Sequence, residues 1–173
     1  MTKRKSALLI LFITLLGLIV YYFYPEENLP ADIQINRIVV YKSKRQLLAY
    51  SNDQLIKTYK ISLGRNPIGN KEYEGDKKTP EGVYIIDDKN PNSSYHKNLG
   101  ISYPNNKDIV HSKRLGKPTG GNVKIHGLRN HTGFISKLHR WYDWTLGCIA
   151  LTNEEIDELY NAVEVGTRIE IKP

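Results

Sequence analysis

The feature that most constrains this chain is an uncharged apolar stretch near its start. Residues 7–24 form an eighteen-residue run without a charged side chain, and Lys3, Arg4 and Lys5 precede it. This length just reaches the range of roughly 17–25 residues that a membrane-spanning helix requires. Such a run is unsuited to the surface of a water-soluble domain, so residues 31–173 are expected to fold as a separate unit.

The stretch has two interpretations, a retained anchor and a cleaved signal peptide. A signal peptide has a short apolar region that ends in small residues at the cleavage site. Here the run ends in the bulky residues Val20–Tyr24, which resemble the aromatic belt of a membrane interface. We therefore predict that residues 1–30 comprise a cytoplasmic basic tip, a single-pass anchor in the cell membrane and a linker. Residues 31–173 are then extracytoplasmic, on the periplasmic or cell-wall side, because positive flanks stay inside.

The remainder of the chain has the pattern of a mostly β domain. Short β-branched and aromatic runs alternate with polar turns, and the third run alternates like a half-buried strand. One helix is predicted near the end, where Asn153 can cap it and Gly166 ends it. Together these patterns predict a mixed β-sandwich or partial barrel with one or two short helices. The predicted strands are Arg37–Tyr41, Gln46–Tyr50, Leu55–Leu63, Glu81–Asp87, Val123–His126 and Thr167–Ile171.

Three polar stretches between these runs are predicted to be irregular. Gly64–Pro80 holds three glycines and two prolines and forms a long loop, of the kind that is often functional in compact domains. Asp88–Ser94 is polar, and the prolines and asparagines of Tyr103–Lys107 favour a turn.

Candidate chemistry lies between His126 and Cys148. His126 ends an apolar run, and Cys148 is the only cysteine of the protein. A thiol with a distant histidine is the minimum set for nucleophilic catalysis by cysteine. The alternative is that Cys148 is buried and acts as a small apolar side chain. The presence of a single cysteine does not by itself decide between a catalytic and a packing role.

Charge is unevenly distributed around this segment. From Lys97 to Arg140 there are nine basic residues and one acidic residue, whereas from Asp143 onward there are seven acidic and two basic residues. A basic surface that leads to the site would attract an anionic substrate, and a solvated face without a partner is the alternative. Nucleic acid is not an expected partner, because no arginine-rich helix or aromatic–basic RNA-binding motif is present.

Two further histidines, His131 and His139, fall between His126 and Cys148. A catalytic zinc site takes three protein ligands, two of which usually lie a few residues apart, as in a His-x-x-x-His or Cys-x-x-Cys motif. This segment has neither motif. We interpret both histidines as surface or packing residues and expect no metal.

The order of these residues resembles the YkuD-type L,D-transpeptidase catalytic domain family. An Ile-His-Gly run at 125–127 is followed by Thr-Leu-Gly-Cys-Ile at 145–149, and the upstream runs SLGRNPIGNKEYEGDKKTPEGVYII, ISYPN and GGNVKIHG are similar too. The similarity extends from about Ile33 to Pro173. It implies an exported, cofactor-independent enzyme that remodels peptidoglycan through a cysteine thioester on a β-sandwich.

The resemblance also implies roles for individual residues. Cys148 is the expected nucleophile, and His126 the base, oriented by the backbone carbonyl of Gly127. The N–H groups of Gly147 and Cys148 are candidates for an oxyanion hole. The substrate-binding candidates are Tyr103, Trp144 and Thr145. Core packing explains Trp144 equally well.

Two departures from the family pattern bear on the outcome of the reaction. Many members have histidine where this chain has Leu146, and arginine or asparagine where it has Ala150. Transfer of the acyl group to an amine, which is L,D-transpeptidation, and hydrolysis of the same bonds are therefore alternatives. A non-catalytic peptidoglycan-binding module is the third. The expected partners are peptidoglycan stem peptides and the membrane, and the sequence leaves the oligomeric state open.

Overall fold

The structure, a computed structural model that describes residues 3–173, consists of a long N-terminal helix and a mostly β domain. Helix α1 (Lys3–Phe23) has 21 residues and contains an 18-residue window with a mean hydropathy of 2.4, which makes it long and apolar enough to cross a membrane. A signal sequence near an N-terminus meets the same criteria. None of the side chains of α1 is buried.

Eight strands form one continuous sheet in the order β3-β2-β1-β8-β4-β5-β6-β7. The pairs β1–β8 and β6–β7 are parallel, and the other pairs are antiparallel, which confirms the predicted mixed, mostly β architecture. The strands are β1 (Ile35–Tyr41), β2 (Gln46–Ser51), β3 (Gln54–Lys60), β4 (Gly82–Ser93), β5 (His96–Ile101), β6 (Lys124–His126), β7 (Ile149–Ala150) and β8 (Val163–Lys172).

The sheet curls until its two edges meet. Ser62, which follows the edge strand β3, exchanges backbone hydrogen bonds of 3.1 and 2.8 Å with Ala150 of the opposite edge strand β7. Thr145 adds two more, donating to the Leu63 carbonyl at 3.1 Å and accepting from the Arg65 N–H at 3.0 Å. These bonds place the segment before Cys148 against the start of the 64–80 loop.

Helix α3 (Asn153–Ala162) packs on this curled sheet. The Thr152 hydroxyl accepts from the Glu155 N–H, and the Glu155 carboxylate accepts from the Thr152 N–H at 2.9 Å, so a capping box starts the helix. Ile156 and Leu159 face the core, which is otherwise formed mainly by inward side chains of the strands and of the residues that flank them. Thr152, rather than the predicted Asn153, is the N-cap, and the helix ends at Ala162, before Gly166.

Two elements differ from the sequence-based expectation. The predicted turn at Tyr103–Lys107 leads directly into helix α2 (Asn106–Arg114), which begins with a capping box between Asn105 and Asp108. Strand β4 continues through the stretch predicted as polar loop and pairs with β5 in a hairpin. Most of this hairpin extension is solvent-accessible, so it lacks the apolar alternation that would have indicated a strand.

Candidate active site

Strands β6 and β7 bring His126 and Cys148 to the same face of the sheet. Their parallel register pairs Ile125 with Ile149 and His126 with Ala150. Because side chains alternate along a strand, Lys124 and His126 share a face, and Cys148, one residue before β7, shares it too. Both candidate residues line one cavity of about 830 Å³.

The imidazole of His126 is buried and held in one tautomer. Its Nδ1 lies 2.7 Å from the carbonyl oxygen of Gly127, so Nδ1 donates and Nε2 is left free to accept a proton. Burial lowers the pKa of His126 to about 4, although the Gly127 hydrogen bond opposes the shift. The imidazole is therefore neutral at pH 7. A side chain at Gly127 would collide with Asn153 Oδ1 at 2.8 Å.

The thiol of Cys148 is partly buried and donates to the Asn122 carbonyl at 3.6 Å. Burial raises the pKa of this thiol, while the charges of Lys124 and Lys71 act in the opposite direction. The resting pair is therefore a neutral thiol beside a neutral imidazole. Attack by a neutral thiol needs a general base, since no thiolate is stored beforehand.

Thr145 shapes the turn that carries the thiol. Its hydroxyl accepts from the Gly147 N–H at 3.1 Å and donates to the Cys148 carbonyl at 2.7 Å. The Gly147 N–H therefore points at Thr145, and the Cys148 N–H remains as the backbone donor of the pair predicted for an oxyanion hole. Gly147 has a φ of +136°, and a Cβ there would lie 2.8 Å from the Lys78 carbonyl oxygen, so its need for glycine is steric.

Aromatic rings form one wall of the cavity. The Trp144 ring lies 5.7 Å from His126 and 6.1 Å from Tyr95, and Tyr95 lies 4.6 Å from His126. The Trp144 Nε1–H donates to Nδ1 of the buried His139 at 3.4 Å. Trp144 thus lines the cavity and also packs internally against His139.

The structure does not bring Tyr103 to this cavity. Its ring is buried in the core beside Tyr84, and its hydroxyl donates to the Thr119 carbonyl at 3.2 Å. The predicted role of Tyr103 in substrate binding rested on resemblance alone. Its position makes it a core residue, and Tyr95, from the turn of the β4–β5 hairpin, stands at the cavity instead.

The cavity carries positive charge. Among residues 3–173, its lining includes the basic side chains of Arg65, Lys124 and Arg129 and no carboxylate. Asn98 also lines it, and its buried Oδ1 has no hydrogen-bond partner within the described chain. Lys124 could have been found from sequence, since it lies two residues before His126 on a strand. Asn98 pairs with His126 across β5 and β6, a non-local contact that the sequence does not reveal.

A buried ion pair in the 64–80 loop supports the turn from behind. Lys71 donates to Asp76 at 2.7 Å, and the same carboxylate accepts the N–H groups of Glu72, Tyr73 and Lys78. Burial opposes ionisation of Asp76, but these donors outweigh it and lower its pKa. Because the Lys78 carbonyl abuts Gly147, the loop fixes the position of the residue before the thiol.

Within the described part of the chain, no three His, Cys, Asp or Glu side chains are grouped so that they could hold a metal ion. His139 is buried, with its Nδ1 3.2 Å from the Ser62 hydroxyl. His96 lies 2.9 Å from Asp157 at the surface of α3. The groups that face the cavity include the Cys148 thiol and the His126 imidazole.

Comparison with known proteins places this geometry in a family. Residues 35–171 match the family model of YkuD, described as the L,D-transpeptidase catalytic domain. This chain belongs to that family. Two curated relatives carry L,D-transpeptidase names: YafK of Escherichia coli (strain K12) is 32% identical over 132 residues, and YkuD of Bacillus licheniformis (strain ATCC 14580) is 29% identical over 137 residues. These matches cover 73% and 79% of this chain, but 46% and 66% of the relatives.

Solved structures of other proteins share the fold. The helical cell shape determining protein Pgp2 from Campylobacter jejuni has a TM-score of 0.60 at 27% identity, covering 86% of this chain and 53% of Pgp2. Mycobacterium tuberculosis L,D-transpeptidase 1 has a TM-score of 0.50 at 17% identity, covering 79% of this chain and 60% of that protein. The chain thus spans about half the length of several relatives that it matches.

The two departures from the pattern of the L,D-transpeptidase family have different structural consequences. Leu146 is exposed at the rim of the cavity, where many members place a histidine. Ala150 is fully buried in β7 and exchanges backbone hydrogen bonds with Ser62. Leu146 therefore changes the exposed surface at the rim of the cavity, whereas Ala150 lies in the sheet.

Proposed function

We propose that this protein is a membrane-anchored L,D-transpeptidase that forms a thioester between Cys148 and a peptidoglycan stem peptide and transfers the acyl group to an amine. The observation that carries the proposal is the His126 imidazole, buried, neutral and held at 2.7 Å by the Gly127 carbonyl, in the same cavity as the lone thiol. Membership of the L,D-transpeptidase family supports the substrate class.

The geometry favours a general-base route. As Sγ of Cys148 attacks the carbonyl between the L-centre of the diamino acid and D-alanine, Nε2 of His126 takes the thiol proton. The Cys148 N–H is the donor for the oxyanion. Collapse of the tetrahedral intermediate breaks the peptide bond, and His126 returns its proton to the departing amine of D-alanine. An amine of a second stem then attacks the thioester, gives its proton to His126 and releases the thiol.

The cavity suits an anionic, partly extended peptide. Its basic side chains, Arg65, Lys124 and Arg129, can pair with stem carboxylates, and Trp144 and Tyr95 offer flat apolar walls. These features concern binding of the donor stem rather than the choice of acceptor.

Hydrolysis of the same bond is the second candidate. Leu146 lines the rim of the cavity, where many relatives have histidine, and its side chain has no polar group. It therefore cannot hydrogen-bond an acceptor amine and so favour the amine over water. Pgp2, one of the similar structures, is named for determining helical cell shape. Water as acceptor would make this protein an L,D-carboxypeptidase or L,D-endopeptidase with the same acylation step.

We also propose the predicted division of the chain and its location. Residues 1–30 are the cytoplasmic tip, anchor and linker, and residues 31–173 are the extracytoplasmic catalytic domain, supported by the length and hydropathy of α1. Resistance to alkaline carbonate extraction, together with an intact N-terminus by mass spectrometry, is the expected result. A mature chain beginning near Glu26 contradicts the anchor.

The deciding experiment incubates the full chain with disaccharide-tetrapeptide and identifies products by mass spectrometry. Crosslinked dimers support transfer, and disaccharide-tripeptide alone supports hydrolysis. Cys148→Ala and His126→Ala are expected to abolish both products, while Ser43→Ala, an exposed residue bonded to the Pro173 carbonyl, leaves them unchanged. Binding of substrate without any product favours the non-catalytic module.

A covalent adduct provides an independent test of the nucleophile. The LD transpeptidase LdtMt1, which shares the fold, has been solved in complex with imipenem. We expect imipenem to add its mass to the wild-type chain and to Ser43→Ala, but not to Cys148→Ala. Equal labelling of Cys148→Ala contradicts the role of this thiol.

A further inference from the structure

The last turn of α1 packs against a short helical segment of the catalytic domain. This 3₁₀ segment (Gly133–Trp141) precedes the turn that carries Cys148. The Tyr22 hydroxyl donates to the Phe134 carbonyl at 2.6 Å, and the Tyr21 ring lies 6.2 Å from the ring of Trp141. The Tyr21 hydroxyl also donates to the Lys137 carbonyl, at 3.4 Å.

The linker after α1 is fixed to the same segment. Arg140 makes two hydrogen bonds to the Glu26 carboxylate, at 2.6 and 2.9 Å, and a third to Glu155 of α3 at 2.7 Å. The Arg140 hydrogen bonds outweigh burial and lower the pKa of Glu26 to about 2. Lys137 donates to the Tyr24 carbonyl. The domain is therefore held against the end of the helix through contacts of the linker with the 133–141 segment.

Three aromatic side chains of this region remain exposed. Phe134 is 74% exposed, Trp141 60% and Tyr142 66%, and we call these three residues the aromatic patch. Large exposed apolar side chains that cluster usually mark a contact surface. These three lie on or next to the segment that contacts Tyr21 and Tyr22.

The position of α1 decides what the patch contacts. Tyr21 and Tyr22 lie two or three residues before the end of the uncharged stretch at Tyr24. If α1 spans the bilayer as proposed, they lie within about 5 Å of its boundary at 1.5 Å rise per residue. Groups that contact these two side chains must lie at the same depth. Tryptophan and tyrosine are enriched at this level, where one part of the ring is apolar and the other is hydrated.

We infer that the aromatic patch is a membrane-contacting surface that inserts into the headgroup region of the extracytoplasmic phospholipid leaflet. The inference goes beyond the proposed reaction but rests on the proposed anchor. Lys137 and Arg140, beside the patch, present their charges to Glu26 and Glu155 instead of the hydrocarbon. Because Trp141 is followed closely by Trp144 of the cavity wall, insertion sets the height and direction of the cavity above the bilayer.

Tryptophan fluorescence in liposomes tests this surface. The chain has two tryptophans, so Trp144→Phe leaves Trp141 alone and Trp141→Phe leaves Trp144 alone. The full chain is reconstituted in phosphatidylcholine vesicles with or without bromine at carbons 6 and 7 of the acyl chain. We expect brominated lipid to quench Trp141 roughly twofold, as befits an interfacial ring, and to leave Trp144 unquenched.

A second probe keeps the test valid if Trp144→Phe fails to fold. Phe134→Trp, placed in a Trp141→Phe background, adds a reporter at the patch, and its quenching is read against Trp141→Phe alone. Equal, weak quenching of all variants in carbonate-resistant vesicles overturns the inference. Protection from aqueous iodide without quenching by bromine also overturns it, because the patch is then covered by another copy of the chain. Extraction of the chain by carbonate overturns the anchor, and the surface with it.

Discussion

At the scale of single residues, Thr145 determines how the thiol is presented. Its hydroxyl joins the Gly147 N–H to the Cys148 carbonyl, and both bonds are lost in Thr145→Val. A buried donor left unpaired destabilises a protein by about 1–3 kcal/mol, and small misplacements of a nucleophile lower kcat by up to about 10²-fold.

We therefore expect Thr145→Val to reduce both stability and imipenem acylation, whereas Thr145→Ser, which keeps the hydroxyl, retains most of each. Urea unfolding and the rate of adduct formation measure the two effects. Equal acylation rates in Thr145→Val and Thr145→Ser contradict this role of the hydroxyl.

His126 should make folding stability depend on pH. Its folded-state pKa of about 4 lies below the ordinary value of 6.5, so the unfolded chain binds more protons between these values. The stabilisation that the neutral His126 contributes to the free energy of unfolding is fully present above pH 6.5 and is lost as the pH falls towards 4. A shift of this size corresponds to about 3 kcal/mol.

Urea unfolding between pH 7 and pH 4.5 tests the prediction. We expect His126→Gln to lose less stability over this range than the wild type. His139, whose burial lowers its pKa to about 3, keeps its own dependence in both proteins and serves as an internal control. If the free energies of unfolding of the wild type and of His126→Gln fall by the same amount between pH 7 and pH 4.5, the lowered pKa of His126 is contradicted.

Sequence and structure agree unevenly at the residue scale. The spacing of Ile-His-Gly and Gly-Cys pointed to His126 and Cys148 because their local motifs are short and specific. The direction of the Gly147 N–H was not readable, since it depends on the rotamer of Thr145. Asn98 was missed because a strand distant in sequence places it beside His126.

At the scale of elements, the 64–80 loop is held by the pair of Lys71 and Asp76. Both side chains are almost fully buried, and Asp76 also accepts three backbone N–H groups. Removing one charge from a buried pair leaves the other uncompensated, which destabilises by about 3–5 kcal/mol. Asp76→Asn is the change to make.

The control is Asp53→Asn, which removes the same charge from an exposed pair with Arg37, where the carboxylate side chain is 92% exposed. We expect that variant to lose less than about 1 kcal/mol. Because the loop abuts Gly147, Asp76→Asn should also slow alkylation of Cys148. Similar urea midpoints for the two variants contradict a supporting role for the loop.

The elements that were predicted correctly had a local signal. The β-branched and aromatic runs of β1 to β3 and the capping pattern of α3 can each be read from consecutive residues. Helix α2 was missed even though Asn105 and Asp108 form a capping box, because neighbouring proline and asparagine favour a turn equally. The hairpin extension of β4 is stabilised by its partner strand rather than by its own pattern.

At the scale of the whole molecule, the cavity exists because the sheet closes on itself. The bonds between Ser62 and Ala150 join edges that are far apart in the chain. No periodicity in the sequence encodes that closure, so a sandwich and a partial barrel could not be separated beforehand. The same closure gathers basic residues from distant segments, among them Arg65 and Arg129, around one thiol.

This concentration of positive charge should speed and tighten the binding of an anionic stem. We expect Arg129→Glu to raise KM for disaccharide-tetrapeptide about tenfold at low salt, with little change in kcat, because a charge at the cavity acts on encounter and binding. Lys113→Glu makes the same change of charge on the exposed end of α2, outside the cavity, and should leave KM near the wild-type value.

Salt distinguishes this electrostatic effect from damage to the site. Since the screening length falls from about 10 Å at 0.1 M to about 3 Å at 1 M ionic strength, the difference between Arg129→Glu and wild type should shrink as salt is added. A structural defect would persist at every ionic strength and would lower kcat as well. A KM that rises equally in Arg129→Glu and Lys113→Glu shows that net charge of the chain, rather than the cavity, attracts the substrate.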